Sequence, residues 1–300
     1  MSTRIGIDFG GTKIEAAALA GHGEVVARKR VPNPGAYEAA VEAVRALVAD
    51  VEAEAGSPGA TIGMGIPGSI SPRTGLVRNA NSTWLNGKPF KQNLERALGR
   101  EVRLENDANC FALSEASDGA AAGAEVVFGA ILGTGCGGGI VVRGRTIEGI
   151  NGIAGEWGHT PLPWPRPEEY PGNQCWCGHG SCLETWISGT GFVQDYERAT
   201  GRQLKGAEIE AAAEAGESEA AAALDRYIDR LGRGLAVICD ILDPDVIVLG
   251  GGMSNTAALY PRLPDVVTRY VFSDVFETRI VKAAHGDSSG VRGAAWLWPA

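Results

Sequence analysis

The order of apolar segments in the sequence predicts an α/β protein with a duplicated arrangement of mixed sheets flanked by helices. In the first part of the chain a meander of strands precedes alternating helix and strand, and after about residue 125 a similar order begins again. The 300 residues suffice for more than one domain. We predict a small α/β domain over 1–120, to which a C-terminal helix at 288–300 returns, and a large α/β domain over 121–287.

The small domain begins with "RIGIDFGG", a short apolar strand that ends in glycines. Two more strands follow around a Gly-His-Gly turn in "IEAAALAGHGEVVARKRVP", which completes a meander. Apolar residues at helical spacing predict an amphipathic helix from Tyr37 to Ala55. "TIGMGIPG" and "EVRLEND" are further strands, and the second leads into a helix from Ala108 to about Ala121.

The large domain opens with "VVFGAILGTGCGGGIVV", whose apolar runs on either side of a glycine-rich centre indicate a hairpin. A loop-rich section follows, and helices are expected from Ser188 onward. "PDVIVLGGGM" is a buried strand that leads to a helix, and "TRIVKAA" is the last strand.

Composition excludes several classes of partner. With 27 Lys and Arg against 36 Asp and Glu, the net charge of −9 disfavours binding to nucleic acid or to an anionic membrane over a broad surface. Neither a signal peptide nor a run of about 18 apolar residues is found, and the six cysteines are too few for a disulfide scaffold. We therefore expect a cytoplasmic protein whose thiols stay reduced.

Three glycine-rich segments follow strands: "DFGGTK" (Asp8 to Lys13), "GTGCGGG" (Gly133 to Gly139) and "GGG" (Gly250 to Gly252). Their backbone N–H groups can hold a phosphate, which approaches glycine without interference from a Cβ atom. Asp8 is suited to hold a water on Mg²⁺. Taken singly, the first two are also compatible with plain hairpin turns. A formal match to G-x-G-x-x-G in the second is accidental, because a strand follows where a helix is required.

Six motifs in one order carry a resemblance to a known family: "DFGGTK", "ENDAN", "GTGCGGG", "AGEWGH", "CWCGHGSCLE" and "VIVLGGG". The chain resembles the ROK family of sugar kinases and repressors over essentially its whole length. "GIPGSISPRTGLVRNANSTWLNG" and "HGDSSGVRGAAWLWP" are similar to the bacterial fructokinase (mannokinase) branch. The resemblance implies an actin/hexokinase-like (ribonuclease H-like) fold, with two α/β domains around a central cleft that holds ATP and, deep inside, the sugar.

The resemblance also implies roles for individual residues. Asp107 corresponds to the catalytic base, which orients the attacking hydroxyl and accepts its proton; without the family, a helix cap is the simpler interpretation. The sugar contacts implied are Gly68, Asn81, Asn106, Asp107, Glu156, His159 and Glu184. The residues implied for ATP and Mg²⁺ are Asp8, Gly10, Gly11, Thr12, Lys13, Gly133, Thr134, Gly135, Gly251 and Gly252.

A cysteine-rich segment, "NQCWCGHGSCLE", places three thiols within eight residues. Together with His159, residues Cys175, Cys177 and Cys182 form a Cys₃His set that is typical of closed structural Zn²⁺ sites. In the family this zinc lies behind the sugar pocket. A metal-free reduced loop, a disulfide, a catalytic zinc and His179 as a competing ligand remain alternatives. The family has Gly before the last Cys, where this chain has Ser181.

These residues predict an ATP-dependent kinase that phosphorylates the 6-hydroxyl of a hexose. The branch resemblance favours fructose, with mannose or glucose as further substrates. An N-acetylhexosamine kinase or a glucokinase is the alternative within the same chemistry. A sugar-responsive repressor is a distant alternative, because family repressors carry a DNA-binding module before the first strand, which here begins at about Arg4. Because family members are commonly dimers, a homodimer is expected.

Overall fold

The computed structural model describes residues 3–299. Its strands are β1 Arg4–Phe9, β2 Lys13–Ala20, β3 Glu24–Pro32, β4 Thr61–Ile66, β5 Ser69–Ile70, β6 Val77–Arg78, β7 Val102–Asn106, β8 Val126–Leu132, β9 Cys136–Val142, β10 Arg145–Thr146, β11 Val246–Gly250 and β12 Arg279–Lys282. Its α-helices are α1 Tyr37–Ala55, α2 Phe90–Leu98, α3 Asp107–Asp118, α4 Glu184–Ile187, α5 Gly189–Thr200, α6 Gly206–Glu214, α7 Ser218–Leu242, α8 Leu259–Thr268 and α9 Ser289–Trp296.

The chain divides into two compact units. Within the described residues, unit 1 contains the chain up to Gly123, Gly139–Gly155 and the segment from Ala284, and unit 2 contains Ala124–Gly138 and Glu156–Ala283. The sequence predicts 139–155 as part of the large domain, whereas the structure groups this segment with unit 1. The reason is close packing of β9 on α3: a Cβ atom at Gly139 would lie 2.2 Å from the carbonyl oxygen of Ala108.

Unit 1 contains a five-stranded sheet in the order β3-β2-β1-β4-β7. The predicted meander is confirmed, since β1, β2 and β3 pair antiparallel, and β1, β4 and β7 pair in parallel. Helix α1 has the predicted bounds and ends where Gly56 adopts φ +60°, the left-handed conformation common after helix ends. Helix α3 is shorter than predicted, because it begins at Asp107 and ends at Asp118.

Glycines in unit 1 allow helix α9 to lie directly on the sheet. A Cβ atom at Gly6 would lie 1.9 Å from the Val291 carbonyl oxygen, and one at Gly63 would lie 1.8 Å from that of Ala294. On the helix itself, a Cβ atom at Gly293 would lie 1.7 Å from the carbonyl oxygen of Cys110 in α3. The abundance of glycine therefore reflects backbone packing as well as turns.

The second five-stranded sheet has the order β10-β9-β8-β11-β12, in which β8, β11 and β12 pair in parallel. The division between units falls within β9. After β11 the chain first forms a 3₁₀ turn, Gly252–Asn255, and α8 begins only at Leu259. Ser188 caps α5 by accepting a hydrogen bond from the N–H of Gly191, and the short helix α4 precedes it.

None of the helices in residues 3–299 combines the length and the hydropathy needed to cross a membrane.

Candidate active site

The first predicted phosphate-binding turn connects β1 to β2 in unit 1. The N–H of Gly10 donates to the carbonyl oxygen of Lys13 at 3.0 Å, which closes the turn. Asn33, which sequence analysis missed, fixes it from the end of β3: its side-chain amide donates to Gly10 O at 2.7 Å, and its N–H donates to Thr12 O at 2.9 Å. Gly11 and Thr12 are left exposed, so they remain available to a phosphate.

Asp8, the predicted Mg²⁺ residue, lies opposite Glu15 in the β1–β2 pair. Burial, and then the nearby Glu15 carboxylate, raise the pKa of Asp8, while Lys13 acts in the opposite direction. The start of α9 lies against this carboxylate, since a Cβ atom at Gly290 would come within 3.2 Å of it. A carboxylate placed beside an exposed glycine-rich turn is a suitable partner for hydrated Mg²⁺.

The predicted catalytic base begins helix α3. Asn106 is the N-cap, with its side-chain oxygen accepting from the N–H of Ala108 at 2.9 Å. Asp107 is therefore the first helical residue, and one of its oxygens also accepts from Ala108 N at 2.8 Å. The side-chain amide of Asn106 donates to Gly68 O at 2.9 Å. The capping role thus belongs to Asn106, and Asp107 lies beside it at the positive end of the helix dipole.

Gly68 brings the predicted sugar residues of unit 1 together, because it bonds to Asn106 and packs against the segment that precedes Asn81. It has φ +78°, and a Cβ atom there would lie 2.4 Å from Arg78 O and 2.7 Å from Ala80 N. Asn86 holds the same segment, because its amide both accepts from Ala80 N and donates to Ala80 O, each at 2.9 Å. Asn81, next along the chain, is exposed.

A buried carboxylate accepts hydrogen bonds from residues around the start of helix α3. Glu105 accepts from Asn106 N at 2.8 Å, from the amide of Asn109 at 3.0 Å and from the hydroxyl of Thr146 at 3.1 Å. Burial raises the pKa of Glu105. Sequence analysis did not single out Glu105, although it is the first residue of the "ENDAN" motif.

The second predicted phosphate-binding turn lies between β8 and β9 in unit 2. The N–H of Gly133 donates to Gly135 O at 3.0 Å, and Gly133 O accepts from the N–H of Gly189 at 2.7 Å. The hydroxyl of Thr190 donates to Thr134 O at 2.8 Å. Gly251, with φ +78°, packs on the same turn, since a Cβ atom there would lie 2.9 Å from Gly133 N.

Three cysteines and one histidine converge in unit 2. The ligand atoms of His159, Cys175, Cys177 and Cys182 all lie within 4.8 Å of one another. His159 Nδ1 is 3.7 Å from Cys175 Sγ, and the sulfurs of Cys177 and Cys182 are 3.5 Å apart. Tetrahedral zinc with ordinary Zn–S and Zn–N bonds separates its ligand atoms by about 3.5–3.8 Å. The donor set and its spacing therefore fit Zn²⁺.

The thiols of the cluster differ: a backbone hydrogen bond from His179 lowers the pKa of Cys177, whereas a cation would have to displace a proton from Cys182. Burial and the neighbouring thiols raise the pKa of Cys182 to about 12, whereas zinc binds thiolates. His179 lies outside the cluster and is exposed, and its carbonyl oxygen accepts from Cys175 N at 2.9 Å.

Ser181 occupies a left-handed backbone position, with φ +59°. This conformation favours glycine, which is the residue that the family pattern has there. The loop nevertheless keeps its form, because Ser181 N donates to Asn173 O at 2.7 Å and Ser181 O accepts from Leu162 N at 2.9 Å. The serine therefore adds local backbone strain without disrupting the convergence of the cysteines.

The two remaining carboxylates predicted to contact sugar have different surroundings. Glu156 is exposed and immediately precedes the 3₁₀ turn Trp157–His159. Glu184 accepts from Cys136 N through Oε2 and from the indole N–H of Trp176 through Oε1, each at 2.8 Å. Cys110, Cys136 and Cys239 are buried, and burial raises the pKa of each thiol, in agreement with their interpretation as core residues.

Two α/β units, each with a glycine-rich turn between its strands, are typical of the actin/hexokinase-like class of proteins. The chain belongs to the ROK family, whose model matches residues 4–300, and the predictions of a ROK sugar kinase and of this fold are confirmed. A ROK hexokinase from Thermus thermophilus has a TM-score of 0.88 at 34% identity, with 98% of this chain and 97% of that chain covered.

Two further relatives bear on the substrate. An N-acetyl-D-glucosamine kinase from Vibrio cholerae is 43% identical over 297 residues, which cover 97% of this chain and 98% of that protein. A ROK family glucokinase from Streptomyces griseus, solved with glucose and AMPPNP, has a TM-score of 0.78 at 28% identity over 99% of both chains. These relatives do not support the predicted fructokinase branch. The fructokinase prediction depended on two segments, one around Gly68 and one around α9. Both segments also have packing roles in the fold, so they do not distinguish one sugar from another.

Proposed function

We propose that the protein is an ATP-dependent kinase that phosphorylates the 6-hydroxyl of N-acetyl-D-glucosamine. The observation that carries this proposal is the 43% identity, over nearly the whole of both chains, to an N-acetyl-D-glucosamine kinase. N-acetylglucosamine thus replaces fructose as the preferred substrate, in line with the alternative given by the sequence.

In this mechanism Asp107 accepts the proton of the attacking hydroxyl as the phosphorus–oxygen bond forms. Its position at the start of α3 is fixed by the Asn106 cap and by Glu105 beneath. The amides of Gly11 and Thr12 in the first turn and of Thr134 and Gly135 in the second bind the phosphates of ATP. Asp8 would hold a water on Mg²⁺, which would supply positive charge to neutralise the phosphates.

The sugar is held by amides and carboxylates that each bind neighbouring hydroxyls. We assign this role to Asn81, Asn106, Glu156 and Glu184, and further sugar contacts to the backbone of Gly68 and the imidazole of His159. The hydrogen bond from Asn106 to Gly68 supports the assignment, because it holds two of these residues together. A site of this kind discriminates between sugars, since a sugar lacking one hydroxyl leaves a polar group of the site without a partner.

Substrate preference is tested by a coupled ADP assay with N-acetylglucosamine, N-acetylmannosamine, glucose, mannose and fructose. We expect kcat/KM for N-acetylglucosamine to exceed that for fructose by at least about 100-fold, because one well-paired polar group is worth a few kcal/mol. The same enzyme without sugar, which reports the rate of ATP hydrolysis, is the control. Faster turnover of fructose than of N-acetylglucosamine would overturn the proposal.

The Cys₃His cluster is proposed as a structural Zn²⁺ site, because four protein ligands leave no open coordination position. We expect Cys177→Ala to lose stoichiometric zinc and His179→Ala to retain it, as measured by metal analysis of the purified variants. The exposed His179 is a matched control, since it lies on the same loop outside the cluster. Zinc retained in the first variant and lost in the second would contradict the assignment of ligands.

A further inference from the structure

Both segments that supply the metal ligands contact the start of β9, immediately after the phosphate-binding turn at Gly133–Gly135. From the histidine segment, the indole of Trp157 donates to Gly137 O at 2.9 Å. Gly158 lies so close that a Cβ atom there would be 2.4 Å from Cys136 O. The residue before His159 therefore packs directly on the backbone that ends the turn.

From the cysteine segment, the contact is made by Glu184, two residues after Cys182. Its Oε2 accepts from the N–H of Cys136 at 2.8 Å, and a Cβ atom at Gly135 would lie 2.7 Å from the same oxygen. A side chain at position 135 would therefore collide with the Glu184 carboxylate, as well as hinder the approach of a phosphate. Hydrogen bonds to an ionised acceptor are roughly twice as strong as neutral ones.

Trp176 connects this carboxylate to the metal-binding loop itself. It lies between Cys175 and Cys177, and its indole N–H donates to Glu184 Oε1 at 2.8 Å. Its ring packs edge-on against His159, with centroids 5.0 Å apart. Although 75% of Trp176 is exposed, its indole contacts Glu184 through the N–H and His159 through the ring. A metal ion would fix the position of His159 and of the loop that carries Trp176.

We propose that the metal-loaded loop holds the phosphate-binding turn at Gly133–Gly135 in its binding conformation, and that Glu184 is the positioning residue that connects them. A bound metal ion would tie the His159 segment to the cysteine segment. The cysteine segment holds the start of β9 at the N–H of Cys136, and the histidine segment holds it at the carbonyl oxygen of Gly137. The inference rests on the proposed nucleotide role of this turn. According to this inference, the metal site affects the affinity for ATP and not only the shape of the sugar pocket.

The test measures binding of Mg²⁺–AMPPNP by isothermal titration calorimetry without sugar, so that sugar contacts do not enter. We expect Glu184→Gln to raise Kd about tenfold, roughly 1.4 kcal/mol. A glutamine offers one oxygen to two facing donors, so its NH₂ must oppose either Cys136 N–H or the Trp176 indole. We expect Trp176→Phe to raise Kd about threefold, and removal of the metal by a chelator to raise it at least as much as Glu184→Gln.

The double variant Trp176→Phe/Glu184→Gln sharpens the test. With the indole donor gone, the glutamine oxygen can turn to Cys136, so the double variant is expected to bind AMPPNP at least as well as Glu184→Gln alone. Trp164→Phe is the control, since Trp164 is a partly exposed tryptophan of the same unit that packs on Tyr270. It should leave Kd unchanged.

Kinetics separate this role from general loss of structure. Trp176→Phe should raise KM for ATP without changing the zinc content. Tryptophan emission on metal titration should also change in the wild type more than in this variant. Nucleotide affinity within twofold of wild type in both Glu184→Gln and Trp176→Phe would overturn the inference, whereas a wild-type protein that does not bind AMPPNP would refute the proposed function itself.

Discussion

Replacing Asp107 by asparagine is expected to lower kcat by about 10²–10⁴, the contribution typical of a positioned general base. Asparagine keeps the shape of the side chain and an oxygen that can accept from the N–H of Ala108, as Asp107 does at 2.8 Å. It cannot accept the proton of the attacking hydroxyl. The loss should therefore fall on kcat, while the affinities for AMPPNP and for the sugar stay within a few fold.

The measurement is the coupled ADP assay at saturating substrates, with calorimetry for the two affinities. Asp225→Asn is the matched control, because Asp225 forms an exposed ion pair with Arg262 in unit 2 and has no proposed catalytic role. Its kcat should be unchanged. A loss of less than about tenfold in Asp107→Asn, roughly 1.4 kcal/mol of barrier, would show that Asp107 is not the base.

The largest loss of stability is expected for Glu169→Ala in unit 2. Glu169 lies in the 3₁₀ turn Pro167–Glu169 and is 4% exposed. Its carboxylate accepts from Arg230 Nε at 2.7 Å and from Arg233 Nη2 at 2.8 Å, and Arg233 is fully buried. Removing the carboxylate takes one of two acidic partners from each buried guanidinium group, since Arg230 keeps Asp195 and Arg233 keeps Asp229. Breaking a buried pair costs about 3–5 kcal/mol. The expected cost therefore lies at the lower end of this range.

Urea denaturation followed by circular dichroism measures this loss. The control is Asp225→Ala, which breaks the exposed Arg262–Asp225 pair and is expected to cost at most about 1 kcal/mol. If Glu169→Ala costs no more than this control, the buried network does not stabilise unit 2.

The same network gives an expected pH dependence. Burial acts to raise the pKa of Glu169, but hydrogen bonds from Arg233, the N–H of Arg166 and Arg230 together outweigh it and lower the pKa to about 2. A carboxyl whose pKa is lowered by folding contributes stability above its ordinary pKa near 4.5 and loses it as the pH falls towards 2. Glu169→Ala should therefore lose less stability than the wild type over this interval.

Local patterns predicted the parts of the fold that depend on neighbouring residues. The strands around "DFGGTK" and the bounds of helix α1 follow from hydrophobic periodicity and from glycine at the helix end. The membership of 139–155 in unit 1 could not be predicted, because it depends on the packing of Gly139 against Ala108. Those two residues are distant in the sequence and carry no pattern that connects them.

For the candidate site, the motifs supplied the residues but not their partners. The convergence of the Cys₃His set follows the spacing of its cysteines. The second role of Glu184, as acceptor for Cys136 N–H, depends on a contact across 48 positions. The side chains of Asn33 and Asn86 bond to backbone atoms of other residues, and no motif indicates these bonds. The preferred sugar was also beyond the motifs, because they describe the catalytic machinery that different hexose kinases share.

Helix α9 has a consequence for the order in which the protein is assembled. The surface that receives it, with Gly6 on β1 and Gly63 on β4, is translated early, whereas the helix leaves the ribosome after all of unit 2. Domains generally fold as units during synthesis, the N-terminal one first. The glycine-lined face of the earlier unit therefore stays uncovered until α9 has been synthesised, so this unit can be completed only after unit 2 has been translated.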